Sequence, residues 1–270
     1  MTKPCASLSS TRHGQGPPLV ELPMNPNLNR AITNILGPRW TVWLRCLVHR
    51  RGIPRWGNLR RTIPFSTRWG FDRGTPIDRY YLERFLEQHQ AHIRGNVLEI
   101  QSPIYTNRYG HDLGVVHTVD IDPACAPTYL CDLSRSEQDL PENRYDCVLL
   151  PFTLHILRDV EGGLRNVLRT TRPGGVILAT TSAFVPLMPD GPDYWHVTAD
   201  GWNELTRRAW SGCDITVRSY GNCLTGVAAL LGLASEELTA AELEVFDRRY
   251  PVTITIFCRK PGIIGHANQP

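Results

Sequence analysis

Val97-Leu98-Glu99-Ile100, Val115-Val116-His117-Thr118-Val119-Asp120-Ile121-Asp122-Pro123, Tyr129-Leu130-Cys131-Asp132 and Asp146-Cys147-Val148-Leu149-Leu150-Pro151 are four short, largely apolar runs that carry or border carboxylates. Runs of this length, rich in β-branched and aliphatic residues and bounded by Asp and Pro, read as buried strands. Downstream, Val160, Leu164, Val167 and Leu168 fall on one face of a helix expected over Asp159 to Arg169. Pro173-Gly174-Gly175 then turns into a fifth strand, Val176 to Thr180. Strands alternating with helices at this spacing predict parallel βαβ units and a doubly wound α/β sheet.

Working outward, Thr75-Pro76-Ile77-Asp78 reads as a helix start, with Thr75 as cap and Pro76 in the first helical position. Ile77, Tyr80, Tyr81 and Phe85 form its apolar stripe. In the last third, Thr198 caps a helix carrying Trp202, Leu205 and Ala209. Asp214 to Tyr220 reads as a strand and Leu224 to Leu233 as a helix. Thr239 and Glu242 form a capping box, and Val252, Ile254 and Ile256 mark a last strand. Residues 1–30 are expected to be a disordered tail and 31–74 a basic N-terminal extension or lid, with a helix over 31–50. The domain proper is expected over 75–260 and a polar tail over 261–270.

The 270 residues are 41% apolar, enough for one sizeable core. No run of eighteen apolar residues predicts a membrane span, and the N-terminus lacks the apolar segment of a secretory signal. A soluble cytoplasmic protein is the expectation. Eight cysteines are scattered singly, without a CxxC pair or a Cys/His array, so no metal site is expected. The net charge of +3 hides an asymmetry: eleven arginines, no lysine and three acids lie between Arg39 and Arg84. Arginine suits bidentate contact with carboxylate or phosphate, and a solvated basic surface is the alternative reading. No nucleic-acid-binding motif accompanies the arginines. The oligomeric state is not legible.

In a doubly wound sheet, ligands bind beyond the carboxyl ends of the strands, where strand order reverses. That rule selects Glu99 and the residues after it, Asp120 and Asp122, Asp132, and Pro151 to His155. An acid after the second strand can accept hydrogen bonds from ribose hydroxyls, and one after the third from an adenine amine. A Walker loop is absent, which disfavours an NTPase. His155, after the fourth strand, is the first candidate for a base, because imidazole ordinarily titrates near neutrality. His196, beside Asp193 and Tyr194, is the second. Arg73, Arg79 and His196 are candidates to orient an acidic or sugar substrate.

In order and spacing these segments, with Arg172-Pro173-Gly174-Gly175-Val176-Ile177-Leu178, resemble the motifs of class I S-adenosylmethionine-dependent methyltransferases over roughly residues 75–260. Trp69-Gly70-Phe71-Asp72-Arg73-Gly74-Thr75-Pro76-Ile77-Asp78-Arg79-Tyr80-Tyr81 and Asp193-Tyr194-Trp195-His196-Val197-Thr198 look like segments of a bacterial branch of that family. The resemblance implies a Rossmann-like sheet of seven strands, mostly parallel with an antiparallel last strand, and S-adenosylmethionine as cofactor. By the same resemblance Glu99 holds the first loop, and the backbone of Gln101 to Tyr105 approaches the methionine moiety. Asp120, with Ile121 beside it, takes the ribose, Asp132 takes the adenine, and Phe152 lies near the adenine face. Arg73 and Tyr194 are assigned to the substrate.

One departure stands out. The family's first loop is glycine-rich, whereas this chain reads Gln101-Ser102-Pro103-Ile104-Tyr105-Thr106 with no glycine until Gly110. Arg108 and Gly110 fit a Tyr-Thr-x-Arg-x-Gly variant of the bacterial branch. The leading expectation is O-methylation of a small-molecule or glycan hydroxyl in a bacterial biosynthetic pathway. The alternatives are a non-catalytic methyltransferase-like scaffold and a methyltransferase fold repurposed for a non-methyl reaction such as cyclisation.

Overall fold

The computed structural model describes residues 55–262 except 138, 185, 189 and 190, together with 34, 35, 37, 40 and 44. The tail expected over 1–30, most of the helix expected over 31–50 and residues 263–270 lie outside the described residues. Met1–Arg61 and Thr62–Pro270 form separate units. Every element below belongs to the second.

Seven strands, β1 (Gly95–Ile100), β2 (Leu113–Asp120), β3 (Tyr129–Leu130), β4 (Tyr145–Leu150), β5 (Thr171–Ser182), β6 (Asp214–Tyr220) and β7 (Thr253–Arg259), form one sheet in the order β3-β2-β1-β4-β5-β7-β6. β1 to β5 pair in parallel, and β7 runs antiparallel to both β5 and β6. The order reverses between β1 and β4. Alternate residues of the central strands enter different cores: Leu98, Val148, Leu150 and Ile177 one, Val97, Cys147, Leu149 and Val176 the other. Both faces are therefore buried, which is why these strands read as continuous apolar runs.

Helices α1 (Ile77–His89) and α2 (Ile104–Tyr109) contribute Leu82, Phe85, Leu86 and Tyr109 to one core. Helices α3 (Val160–Thr170) and α4 (Ala199–Ala209) contribute Leu164, Val167 and Trp202 to the other. α5 (Cys223–Leu230) and α6 (Ala240–Leu243) lie between β6 and β7. The caps explain the boundaries. Asp159, Thr198 and Thr239 accept N–H bonds from the first turns of α3, α4 and α6, and Asn222 does so for α5 in a capping box with Thr225.

Three expectations need correction. Thr75 does not cap α1, where Pro76 occupies the cap position. Its N–H and Oγ1 both donate to the Glu236 carboxylate instead, at 2.9 and 2.7 Å, because a bridge between Pro76 and Ala234 brings that distant segment alongside. The Pro173-Gly174-Gly175 turn lies inside β5, as a bulge between the Tyr145–Thr171 and Cys147–Val176 pairings, with Gly174 at φ +79°. Finally, the segment read as a loop after β1 contains the short helix α2.

Trp210, at the C-cap of α4, is fully buried and donates its indole N–H to the Leu164 carbonyl at 2.7 Å. Trp210→Ala removes that bond and opens a cavity, so it is expected to destabilise the fold by about 3–5 kcal/mol in urea unfolding monitored by circular dichroism.

Candidate active site

The carboxyl ends of β1, β2 and β4 surround adjoining clefts that share Ile100 and Asp120. Glu99 organises the first wall. Its side chain is buried, and its two carboxylate oxygens accept the backbone N–H groups of Tyr105 at 2.9 Å and Thr106 at 2.8 Å. These are orphan donors of the first turn of α2, so a charge at the end of β1 satisfies the start of the helix. Burial pushes the Glu99 carboxyl above its ordinary range, and the hydrogen bonds act in the opposite sense. Between the two elements Gln101 adopts φ +65°, the left-handed conformation that favours glycine. Its N–H donates to the Val119 carbonyl at 3.0 Å. The loop thus makes its turn with a residue that disfavours it.

Asp120 is half-buried at the end of β2 and Asp132 is exposed just after β3. Asp120 Oδ1 accepts the Asp122 N–H, and Asp132 Oδ1 accepts the Ser134 N–H, both at 2.8 Å. Both carboxylates therefore shape turns while lining a cleft of about 270 Å³. Ile100, the exposed Ile121, Leu133 and Tyr194 supply its other walls. Two acceptor carboxylates beside apolar surface suit a ligand that carries hydrogen-bond donors and an apolar face.

Past β4 lies a second cleft, of about 280 Å³, lined by Trp69, Phe71, Arg79, Phe152, His155 and Met188. Phe152 lines this cleft and not the one that holds Asp132. Its backbone is left-handed at φ +48°, its N–H donates to Thr180 Oγ1 at 3.1 Å, and the Arg79 guanidinium sits 4.3 Å from its ring centroid. Across the mouth, the Trp69 indole N–H donates to the Pro186 carbonyl at 3.1 Å and ties the segment before α1 to the loop after β5.

His155 is buried, with Nε2 3.4 Å from Asp193 Oδ1 and Nδ1 3.4 Å from Thr181 Oγ1. Burial lowers its pKa to about 4, although the Asp193 carboxylate pulls it upward. The imidazole is neutral at pH 7, so titration near neutrality is not its distinguishing property. His196 is exposed and lines neither cleft. Arg73 is also away from both: its guanidinium is engaged by Glu237, with Nε–Oε1 at 2.8 Å and Nη2–Oε2 at 2.6 Å. Tyr105, half-buried, lines a neighbouring cleft with Gln101 and Arg79. Trp69, Phe71, Met188 and Thr181 were not singled out for the site by sequence. The only signal was that Trp69 and Phe71 lie in the distinctive segment before α1.

Residues 106–179 match the family model described as a methyltransferase domain. The match runs from within α2 into β5 and so takes in the carboxyl ends of β2, β3 and β4. The sheet has the strand order of a Rossmann-like methyltransferase fold, and the match over residues 106–179 points to S-adenosylmethionine as the cofactor. No curated protein matches the chain. Among solved structures it is similar to an S-adenosylmethionine-dependent methyltransferase from Mesorhizobium loti, with 15% identity, 71% of this chain and 100% of that one covered, and a TM-score of 0.47. It is also similar to one from Archaeoglobus fulgidus, with 14% identity, 68% and 94% covered, and a TM-score of 0.46. A third is the [4+2]-cyclase SpnF, with 14% identity, 70% and 84% covered, and a TM-score of 0.47.

Two outcomes follow from this geometry. A left-handed non-glycine residue is disfavoured by roughly 1–2 kcal/mol, and glycine carries an entropic disadvantage of about 0.5–1 kcal/mol. Gln101→Gly is therefore expected to stabilise the fold, by up to about 1 kcal/mol in chemical denaturation. His155 has a folded pKa of about 4, below the ordinary value near 6.5, so the unfolded chain binds its proton first. Its contribution is intact above pH ~6.5 and is lost as pH falls from there towards 4. Stability measured across that window should drop less steeply in His155→Gln than in the wild type, by up to about 1.4 kcal/mol per pH unit.

Proposed function

We propose that this chain transfers the methyl group of S-adenosylmethionine to a hydroxyl of a small-molecule or glycan acceptor. The observation that carries the reading is the adjacency of two unlike clefts at the sheet's switch point. One has carboxylate and aliphatic walls around Asp120 and Asp132. The other has aromatic walls around a buried imidazole. In this reading Asp120 accepts from the ribose hydroxyls and Asp132 from the adenine amine, and Ile121 packs against the base. The loop from Gln101 to Tyr105, held by Glu99, faces the methionine portion.

When bound, the cofactor supplies an electrophilic methyl group on a sulfonium sulfur. Alignment is then the main requirement of the protein. The Trp69, Phe71, Phe152 and Met188 walls hold the acceptor and exclude water. His155 takes the hydroxyl proton as the oxygen becomes nucleophilic. Its low pKa leaves a lone pair available across the neutral range, and Asp193 stabilises the imidazolium that forms. Tyr194 borders the adenine side, and the expected substrate role of Arg73 passes to Arg79, which lines the acceptor cleft. We read residues 62–74, the part of the expected extension that belongs to the same unit as the clefts, as a lid. Its Trp69 tie to Pro186 supports that reading.

Binding of S-adenosylhomocysteine, measured by titration calorimetry, tests the assignment. A charge-assisted hydrogen bond contributes about 1.5–3 kcal/mol, so Asp120→Ala should weaken binding roughly tenfold to a hundredfold. Unchanged affinity in a folded variant removes Asp120 from the site.

A further inference from the structure

The two edges of the sheet differ. β3, at one edge, is two residues long, whereas β6, at the other, is seven residues long and, among the described residues, has no strand on its outer side. An edge of that length presents unpaired backbone groups, which proteins commonly protect with proline, lysine or a bulge. β6 has none of these: it reads Asp214-Ile215-Thr216-Val217-Arg218-Ser219-Tyr220 and pairs with β7 in continuous register.

Its side chains alternate. Asp214, Thr216 and Arg218 are exposed on one face, and Ile215 and Val217 pack against the core on the other. Read outward from Thr216, the strand is self-complementary: an aliphatic residue on each side, then an acid at one end and a base at the other. An antiparallel pairing about a two-fold axis at Thr216 places Asp214 opposite the partner's Arg218 and Ile215 opposite the partner's Val217. Thr216 meets its own copy. Each of these cross-strand pairs is favourable, and the symmetry makes the charged and aliphatic pairs occur twice. Neither Asp214 nor Arg218 takes part in an ion pair among the described residues.

A second feature agrees with this register. Extended by the same count, it brings the partner's Ser211-Gly212 turn beside Tyr220 and Gly221. There a cleft of about 530 Å³ opens between Tyr80 and Arg84 of α1, Asn203 of α4, and Phe246, which is 51% exposed. Ser211 and Gly212 are small and exposed in this chain, so the turn is a compact occupant for the cleft and a cover for Phe246.

We propose that two copies of this chain pair antiparallel along β6, with the two-fold axis at Thr216, and join their sheets into one. The occupant of the edge is a second copy because the strand's charges and aliphatic residues complement themselves. Sedimentation equilibrium of the full chain at micromolar concentration tests this, with circular dichroism and thermal melting to establish that each variant is folded. The wild type is expected to be a dimer. Asp214→Arg and Arg218→Asp each set like charges opposite one another twice, and each is expected to raise the dimer dissociation constant about tenfold or more. The combined variant D214R/R218D restores opposite charges and should recover the dimer. Thr216→Lys, at an exposed position, sets two ammonium groups together at the axis and should also give monomers, should either reversal perturb folding. A wild type that stays monomeric overturns the proposal, as it would if the edge served an extended segment of another protein. So does a dimer indifferent to the single reversals, or a folded charge swap that does not recover it.

Discussion

The buried Glu99 carboxylate is the contact on which the candidate site depends. It joins the end of β1 to the start of α2 through two N–H groups that otherwise have no intrahelical partner. A buried charge is tolerated only when hydrogen-bonded, so the strand end and the helix start are fixed relative to each other. The loop between them, from Gln101 to Pro103, has little freedom left. In a glycine-rich loop the backbone can make such a turn by itself. Here the turn is imposed by its two anchored ends, and Gln101 is held left-handed between them.

A second residue in the same region is held in the same way. Phe152 is left-handed after β4, fixed by Thr180 through its N–H and covered by the Arg79 guanidinium. Both strained residues line the cleft that contains His155. Conformations of this kind persist where the surrounding structure over-determines them, and they cluster at functional sites. The result is a division of the site by chemistry. Carboxylates lie towards β2 and β3, and aromatic rings with a neutral imidazole lie beyond β4. Arg79, on α1, spans the aromatic side, whereas Arg73, six residues earlier in sequence, is engaged by Glu237.

Much of the fold was legible because its signals are local. Apolar runs broken by Asp and Pro marked the strands, and Thr198, Thr239 and the stripe of α3 marked helices by their own side chains. The helix α2 carries no local signal, because it is six residues long and its first turn is satisfied by Glu99 and not by a neighbouring cap. Thr75 carried a cap signal that Glu236, far along the chain, diverted.

The candidate site divides along the same line. By itself the sequence determined the strand order's carriers, the acids at the strand ends and the absence of glycine in the first loop, since composition and spacing are properties of neighbouring residues. Only the tertiary structure decided which of these groups meet. It moved Phe152 to the His155 cleft, left His196 in solvent, removed Arg73 into an ion pair, and brought Trp69 against Pro186. It also set the protonation of His155, because burial acts on a titratable group through everything that packs around it, and Asp193 and Thr181 arrive there from later parts of the chain.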